Sequence, residues 1–414
     1  MMSILIEQLI NITDAIFLGH VGEIELGASA LAGIWYLAIY MLGFGFSLGL
    51  QVVIARRNGE QHYSETGKTF FQGLFFLSGL AVFLCLLSKL FSPMILSRLI
   101  TSAEVYHAVI DYLDGRIWGL LFSFPFLALR SFLVGITRTK ALNVAALTAV
   151  LVNIPGNWLL IFHWNMGIAG AAIASSFAEA CSLAVLAIHA LRKMDKRFYG
   201  LSWNFDKAVL FHVCRVSVWS MFHSFISVAP WFLFFVAIEH LGELQLAVAN
   251  ILRSISTLFF VIVNSFAATT GSLVSNLIGA DERRQVFPLC SRVIRLGYAI
   301  GLPLIALALV FHQPVVSVYT DNPAIVQTAW LPFVVMLLNY GFALPGYVYM
   351  NAVTGTGATR TAFIFQATTI AIYLLYLWGL SHWDVPLAVY WTVEYLFVIG
   401  LGVQSVIYLK HKHY

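Results

Sequence analysis

Twelve stretches of mostly apolar residues, separated by short connectors that carry most of the charges, make up nearly the whole sequence. A helix needs about 20 apolar residues to cross the hydrocarbon core of a bilayer, and most of these stretches are at least that long. Because 60% of the residues are hydrophobic and only 10% are charged, an ordinary soluble protein is excluded. We predict an all-α integral membrane protein with twelve transmembrane helices, at residues 2–18, 28–55, 69–91, 108–134, 141–162, 168–191, 208–238, 246–278, 286–311, 325–355, 361–381 and 386–409.

The positions of lysine and arginine predict the orientation of the chain, because cytoplasmic connectors are enriched in both. The connectors after even-numbered helices and the C-terminus hold fifteen of them, whereas the connectors after odd-numbered helices hold two, Lys89 and Arg98. We therefore expect a multi-pass protein of a bacterial inner membrane with both termini in the cytoplasm. The net charge of +4 reflects this topology signal, so no nucleic-acid partner is predicted.

The two halves of the chain resemble each other. An offset of 220 in the numbering aligns 20–23 (His-Val-Gly-Glu) with 240–243 (His-Leu-Gly-Glu), and an offset of 222 aligns 135–139 with 357–361. Each repeat holds six helices, so both copies enter the membrane in the same direction, as in many secondary transporters. We predict two six-helix lobes related by pseudo-twofold symmetry and joined by a basic cytoplasmic linker, with bounds 1–195, 196–207 and 208–414. The repeat also indicates that helix 1 is truncated, either genuinely or because the start is set too late.

Polar residues recur three or four positions apart in predicted helices 1, 5 and 6, so that each set shares one helical face. A carboxylate at membrane depth costs on the order of 3 kcal/mol, which makes such residues candidates for function. Their oxygens are the ligands that a proton or sodium site needs. We predict a cation-coupling site formed by Asp14, Asn153, Asn157, Ser175, Glu179 and Glu7.

Each of these residues also has a structural interpretation. The three uncharged members could simply hydrogen-bond neighbouring helices, as polar residues in bundles commonly do. Glu7 lies near the inner end of a short helix, where water would hydrate it, and Glu179 could form an ion pair with Arg130 or Arg116. Asp14 is the strongest candidate because its own helix has no basic residue.

The second half of the chain is expected to lack this polar set. With the two offsets given above, every member tested has an apolar residue or glycine as its counterpart; Asp14, for example, corresponds to Phe234 and Asn153 to Leu375. We therefore predict a cation site in the N-terminal lobe alone. The four cysteines fall in predicted helices, so no disulfide or metal framework is expected. No phosphate-binding loop or catalytic set is present in the sequence, which predicts neither an enzyme nor a bound cofactor.

Several segments resemble the multidrug and toxic compound extrusion (MATE) family. Residues 14–22 (Asp-Ala-Ile-Phe-Leu-Gly-His-Val-Gly) are similar to the first-helix signature of that family, and segments 51–59, 167–174 and 355–360 agree with it. The resemblance implies a V-shaped exporter of twelve helices. Such a protein exchanges the inward flow of protons or sodium for the outward flow of small organic compounds, which are often cationic and aromatic.

The resemblance also implies a cation site in which an acid of helix 1 acts with an Asn and an Asp of helix 5 and a hydroxyl of helix 6. Asp14, Asn153 and Ser175 match that pattern, whereas Asn157 stands at the position of the helix 5 acid. The missing charge favours proton coupling, and a sodium ion at Asp14, Asn153, Asn157 and Ser175 is the alternative.

We therefore predict a monomeric secondary transporter that exports drug-like small molecules across the lipid bilayer. Two alternatives stay open. A lipid-linked saccharide flippase of related fold would need cationic side chains in its cavity, for which Arg116, Arg130 and Arg253 are available. A multipass membrane enzyme would need a catalytic cluster near one surface.

Overall fold

The structure is a computed structural model in which every regular element among the described residues is a helix. It describes residues 13–14, 17–18, 21, 23–100, 103–195, 197–201, 203–227, 230, 233–234, 237–238, 241, 243–318, 323–383 and 385–412. Eleven helices in these ranges are long and apolar enough to cross a membrane, and each overlaps one of the predicted helices 2 to 12. In predicted helix 1, Asp14 and three neighbours are helical, whereas Glu7 lies outside the described residues. The prediction of an all-α membrane fold is confirmed.

Fifteen α-helices account for most of the described residues. The first seven are α1 (Glu23–Gly59), α2 (Tyr63–Leu99), α3 (Ala103–Arg116), α4 (Leu120–Gly135), α5 (Lys140–Asn157), α6 (Gly167–Lys193) and α7 (Lys207–Ile226). The other eight are α8 (Glu243–Gly279), α9 (Val286–Val310), α10 (His312–Ser317), α11 (Pro323–Leu338), α12 (Tyr340–Gly355), α13 (Thr359–Leu380), α14 (Leu387–Tyr390) and α15 (Thr392–His411). A tight turn at Ile117–Gly119 joins α3 to α4, so that these two helices form one membrane span.

The prediction of one continuous helix over 208–238 is wrong. α7 ends at Ile226, Ser227 forms a turn, and the described residues are helical again at Pro230. A proline has no N–H to donate to the carbonyl four residues earlier, and its ring crowds that carbonyl. For Pro230 that carbonyl belongs to Ile226, the last residue of α7.

The two halves of the chain are related by a single offset of 220 residues, which we call the repeat register. In this register Glu23, the first residue of α1, corresponds to Glu243, the first residue of α8. These two helices are both 37 residues long, and the same offset relates α4 to α12, which have 16 residues each. Left-handed backbone conformations repeat in this register, at Gln61 and Asp281 and at Thr137 and Gly357. The offset of 222 predicted for the later helices is therefore wrong. The offset of 222 matched residues of similar type close to the ends of α4 and α12, but it did not match the last residues of these helices, Gly135 and Gly355.

The repeat register changes one conclusion about the polar residues. In this register Asn153 corresponds to Tyr373 and Ser175 to Tyr395, while Asp14 still corresponds to Phe234. The expectation that the polar set has only apolar or glycine counterparts is therefore wrong. The second half of the chain retains polar side chains at two of these positions.

The packing of the chain separates two compact units, which we call the N-terminal unit (up to Ser224) and the C-terminal unit (Phe225–Tyr414). α7, which was predicted to open the C-terminal lobe, packs with the N-terminal unit. Two glycines of α1 make this approach feasible, because a methyl group at Gly45 would meet the backbone of Ser220 and one at Gly49 would meet Ser217. The predicted lobe bounds of 1–195 and 208–414, with a linker at 196–207, stay a prediction.

Candidate cation site

The carboxylate of Asp14 is held by side chains from two other helices. Asn157 of α5 donates from Nδ2 to Asp14 Oδ1 at 2.5 Å, and Ser175 of α6 donates from Oγ to Asp14 Oδ2 at 2.7 Å. Asn153 completes the arrangement, because its Nδ2 donates to Ser175 Oγ at 3.0 Å and its Oδ1 accepts from Asn157 Nδ2 at 3.2 Å. The structure thus brings together four of the six residues predicted for cation coupling, and we call them the Asp14 cluster.

The Asp14 cluster lies where water is largely excluded. Asn153 and Asn157 are fully buried, and Ser175 is only 3% exposed. Leu18, one helical turn after Asp14, packs in a buried apolar core that includes residues of α6. In such surroundings a charged carboxylate depends on protein donors in place of water. The charge of Asp14 and the packing of its neighbours are therefore linked.

The backbone of α5 is irregular around the two asparagines. Pro155 lies between them and removes the helical hydrogen bond to the carbonyl of Leu151. Directly after Asn157 the helix widens into a π-helical turn, Trp158–His163, a feature that is frequent at functional sites. The spacing of four residues keeps both amides on one face of the helix, so that they reach the same cluster.

One acceptor in the Asp14 cluster is unused. Asn157 Oδ1 is buried and has no hydrogen-bond partner among the described residues, whereas both oxygens of Asp14 already face a donor. A proton on Asp14 converts one carboxylate oxygen into a donor that needs an acceptor. Asn157 Oδ1 supplies that acceptor once its amide turns over.

Glu179, the fifth predicted member, takes part in a second network. Arg116 donates from Nη2 to Glu179 Oε1 at 2.5 Å, and Ser123 donates from Oγ to Glu179 Oε2 at 2.6 Å. The guanidinium of Arg116 lies 4.0 Å from the ring centroid of Tyr36, whose hydroxyl is 3.3 Å from Ser123 Oγ. Of the interpretations considered for Glu179, the structure shows the ion pair with Arg116. Both of its carboxylate oxygens are engaged in this arrangement.

The tight turn between α3 and α4 accommodates this ion pair. A methyl group at Gly119 would collide with the guanidinium of Arg116 and the carboxylate of Glu179. Of the other arginines considered for a flippase cavity, Arg130 lies 5.5 Å from the ring centroid of Phe44, and Arg253 is exposed on α8. The three arginines therefore have three different environments.

The sequence-based prediction omits one further carboxylate, that of Glu394, within the membrane span Leu387–His411. Tyr373 of α13 donates to Glu394 Oε1 at 3.1 Å and lies 3.4 Å from the carbonyl oxygen of Pro230. In the repeat register, Tyr373 takes the place of Asn153. An acidic residue in an otherwise apolar stretch is a functional candidate by the reasoning applied to Asp14, so the signal was present in the sequence.

Comparison with known proteins finds similarity over nearly the whole chain. The family model described as MatE matches residues 1–159 and 220–377, more than half of the chain. The probable multidrug resistance protein NorM of Shewanella oneidensis is 22% identical over 401 residues, which cover 94% of this chain and 83% of that protein. The multidrug resistance protein NorM of Vibrio cholerae is 24% identical over 419 residues, which cover 95% of this chain and 88% of that protein.

Among solved structures, one is described as the outward-facing conformation of a multidrug resistance MATE family transporter of the MOP superfamily. The match covers 99% of this chain and 93% of the chain in that structure, with a TM-score of 0.90 at 18% sequence identity. At that identity the similarity shows the fold alone.

Proposed function

The chain belongs to the MATE family of multi-pass membrane transporters, and we propose that it exports drug-like organic molecules in exchange for protons. The Asp14 cluster carries this proposal, because it holds one carboxylate in an apolar bundle with a neutral donor on each oxygen. The names of the NorM relatives, which are multidrug resistance proteins, support the substrate class. The proposal includes a monomer in the bacterial inner membrane with both termini in the cytoplasm.

Protonation changes what Asp14 can bind. As a carboxylate it accepts hydrogen bonds from Asn157 and Ser175, which tie its helix to α5 and α6. As a carboxylic acid it presents an O–H group and no charge, so both bonds lose their charge-assisted strength and the new O–H group needs an acceptor. Hydrogen bonds to charged groups contribute about 1.5–3 kcal/mol each. One proton therefore alters the relative stability of two helix packings by roughly 10- to 100-fold, since about 1.4 kcal/mol is tenfold.

This differential stability supports an exchange mechanism. A ligand shifts a conformational equilibrium only by its difference in affinity for the two states. In the proposed cycle, ionised Asp14 favours the drug-bound state, and a proton that enters from outside neutralises it. The helix that carries Asp14 then repacks against α5 and α6, and the drug is released outward. Loss of the proton to the cytoplasm resets the cluster.

The single charge of the Asp14 cluster supports protons over sodium as the coupling ion. The Asp14 cluster carries one formal negative charge, and an N–H or O–H group points at each carboxylate oxygen. A metal cation that gave up its hydration shell for this cluster would gain only this one negative charge. A proton needs only the unused acceptor of Asn157 and the rotation of one amide.

The experiment that tests the proposal compares two isosteric variants, Asp14→Asn and Asp111→Asn, reconstituted in vesicles that contain a pH-sensitive dye. Asp111 is exposed on α3 and serves as the matched control. A panel of fluorescent organic dyes should evoke proton movement in the wild type and in Asp111→Asn but not in Asp14→Asn. Undiminished exchange in Asp14→Asn would refute the scheme, and a requirement for sodium in the wild type would refute proton coupling.

A further inference from the structure

A short segment of the chain, residues 203–206, covers one face of α2 in the N-terminal unit, and we call it the covering segment. Gln72 of α2 donates from Nε2 to the carbonyl oxygen of Asn204 at 2.7 Å and accepts at Oε1 from the N–H group of Asp206 at 3.1 Å. The tryptophan that begins the segment places its ring 5.8 Å from that of Phe75. Gln72 is fully buried as a result, although it lies within a membrane span.

The matching face of α9 in the C-terminal unit carries two arginines. In the repeat register, Arg292 takes the place of Gln72. Arg295 takes the place of Phe75. Both arginine side chains are exposed, and neither forms an ion pair within the part of the chain that the structure describes. Arg295 Nε donates to the carbonyl oxygen of Ser291 at 3.3 Å, which leaves the terminal nitrogens of both guanidinium groups available to a ligand.

The two arginines lie on the face of α9 that meets lipid. The helix belongs to the membrane span Arg283–Val310, and its exposed face continues after Arg295 with the apolar side chains of Leu296, Leu302 and Leu307. Side chains of a helix tilt toward its N-terminus, so both guanidinium groups can extend toward the headgroups at the start of α9. An arginine in such a position is unfavourable without a counter-charge, which makes it a candidate for function.

We propose that Arg292 and Arg295 bind the phosphate group of an anionic phospholipid, whose acyl chains lie along the apolar face of α9. A guanidinium forms two parallel hydrogen bonds with a phosphate, and the spacing of three residues places both groups on one side of the helix. Phosphatidylglycerol brings one negative charge, whereas phosphatidylcholine adds an ammonium group that the arginines repel. The lipid takes the position that the covering segment takes on α2. This inference does not depend on which molecule the chain exports.

The thermal unfolding temperature of the purified full chain in detergent micelles measures this binding. Dioleoyl phosphatidylglycerol, in about tenfold excess over its dissociation constant, should raise that temperature by about 2 °C more than dioleoyl phosphatidylcholine does. The double variant Arg292→Gln/Arg295→Gln should lose this difference between the lipids. The matched control Arg197→Gln/Lys207→Gln, which removes two exposed positive charges from the N-terminal unit, should keep it.

A second variant, Arg292→Lys/Arg295→Lys, separates loss of the site from loss of the fold. Lysine keeps both charges but cannot form the paired hydrogen bonds, so the difference between the lipids should shrink while the unfolding temperature without added lipid stays that of the wild type. If the glutamine variant does not fold, the lysine variant decides, and an undiminished difference in it overturns the inference.

Three other results would also overturn the inference. The first is an equal effect of the two lipids on the wild type. The second is an equal loss of the lipid difference in the glutamine variant and in the control variant, because net charge alone would then explain it. The third is the same rise in unfolding temperature with glycerol 3-phosphate, which has the phosphate without acyl chains and would show a site for a free anion.

Discussion

Removal of either partner of the Arg116–Glu179 ion pair should destabilise the protein far more than removal of both. The two side chains are only 14% and 26% exposed, and their charged atoms lie 2.5 Å apart. Loss of one partner of a buried pair costs about 3–5 kcal/mol, because the remaining charge is left without compensation. Replacement of both partners by apolar residues of similar size is often close to neutral.

The second half of the chain suggests the replacements, because Arg116 corresponds to Met336 and Glu179 to Ile399. Arg116→Met and Glu179→Ile should each lower the free energy of unfolding by about 3 kcal/mol or more. The double variant should recover most of that loss, with a coupling energy of about 3 kcal/mol. Unfolding by SDS in mixed micelles, followed by tryptophan fluorescence, measures all three variants.

Two results would refute this reasoning. If the double variant is destabilised by the sum of the two single losses, the charges do not compensate each other. If Glu179→Gln keeps the stability of the wild type and abolishes substrate-evoked proton movement, Glu179 is a coupling residue and the ion pair is not its main role.

Two further predictions concern the N-terminal unit. Asn157→Asp places a second carboxylate beside Asp14, so sodium chloride should raise the thermal unfolding temperature of this variant more than potassium chloride does; equal effects of the two salts would contradict a cation site there. Gly49→Ala should lower the free energy of unfolding by about 1–3 kcal/mol, since the new methyl group meets Ser217 of α7. Gly33→Ala in the same helix meets open space and should be neutral or slightly stabilising, so equal losses in both glycine variants would show that the contact with α7 is not the cause.

The membrane spans follow from the sequence because the bilayer imposes a length and an apolar composition on each helix. Predicted helices 2 to 12 all have counterparts in the described residues. Hydropathy fails at Ile226, where α7 ends although the chain stays apolar. It also fails to assign α7 to a unit, because that depends on contacts at Gly45 and Gly49 that exist only after folding.

The candidate site is predicted by helical spacing only within each helix. Spacing placed Asn153 and Asn157 on one face of α5, but which face meets Asp14 depends on how the helices pack. Ser175 and Glu179 share a face of α6 by the same rule, yet Ser175 binds Asp14 and Glu179 binds Arg116. Which side chain Glu179 binds depends on how the helices pack. The sequence alone therefore left two interpretations of Glu179 open, a member of the cation site or a partner in an ion pair.

The length of α1 and α8 has a mechanical consequence. At about 1.5 Å per residue, 37 residues span about 55 Å, whereas the hydrocarbon core is about 30 Å thick. Each helix is therefore about 25 Å longer than the hydrocarbon core is thick, so its ends lie in the headgroup region or beyond it. If such a helix tilts by about 10° around its midpoint, each end moves by about 5 Å, whereas atoms near the midpoint hardly move. Small rearrangements deep in the bilayer can thus be magnified into large displacements at the membrane surface.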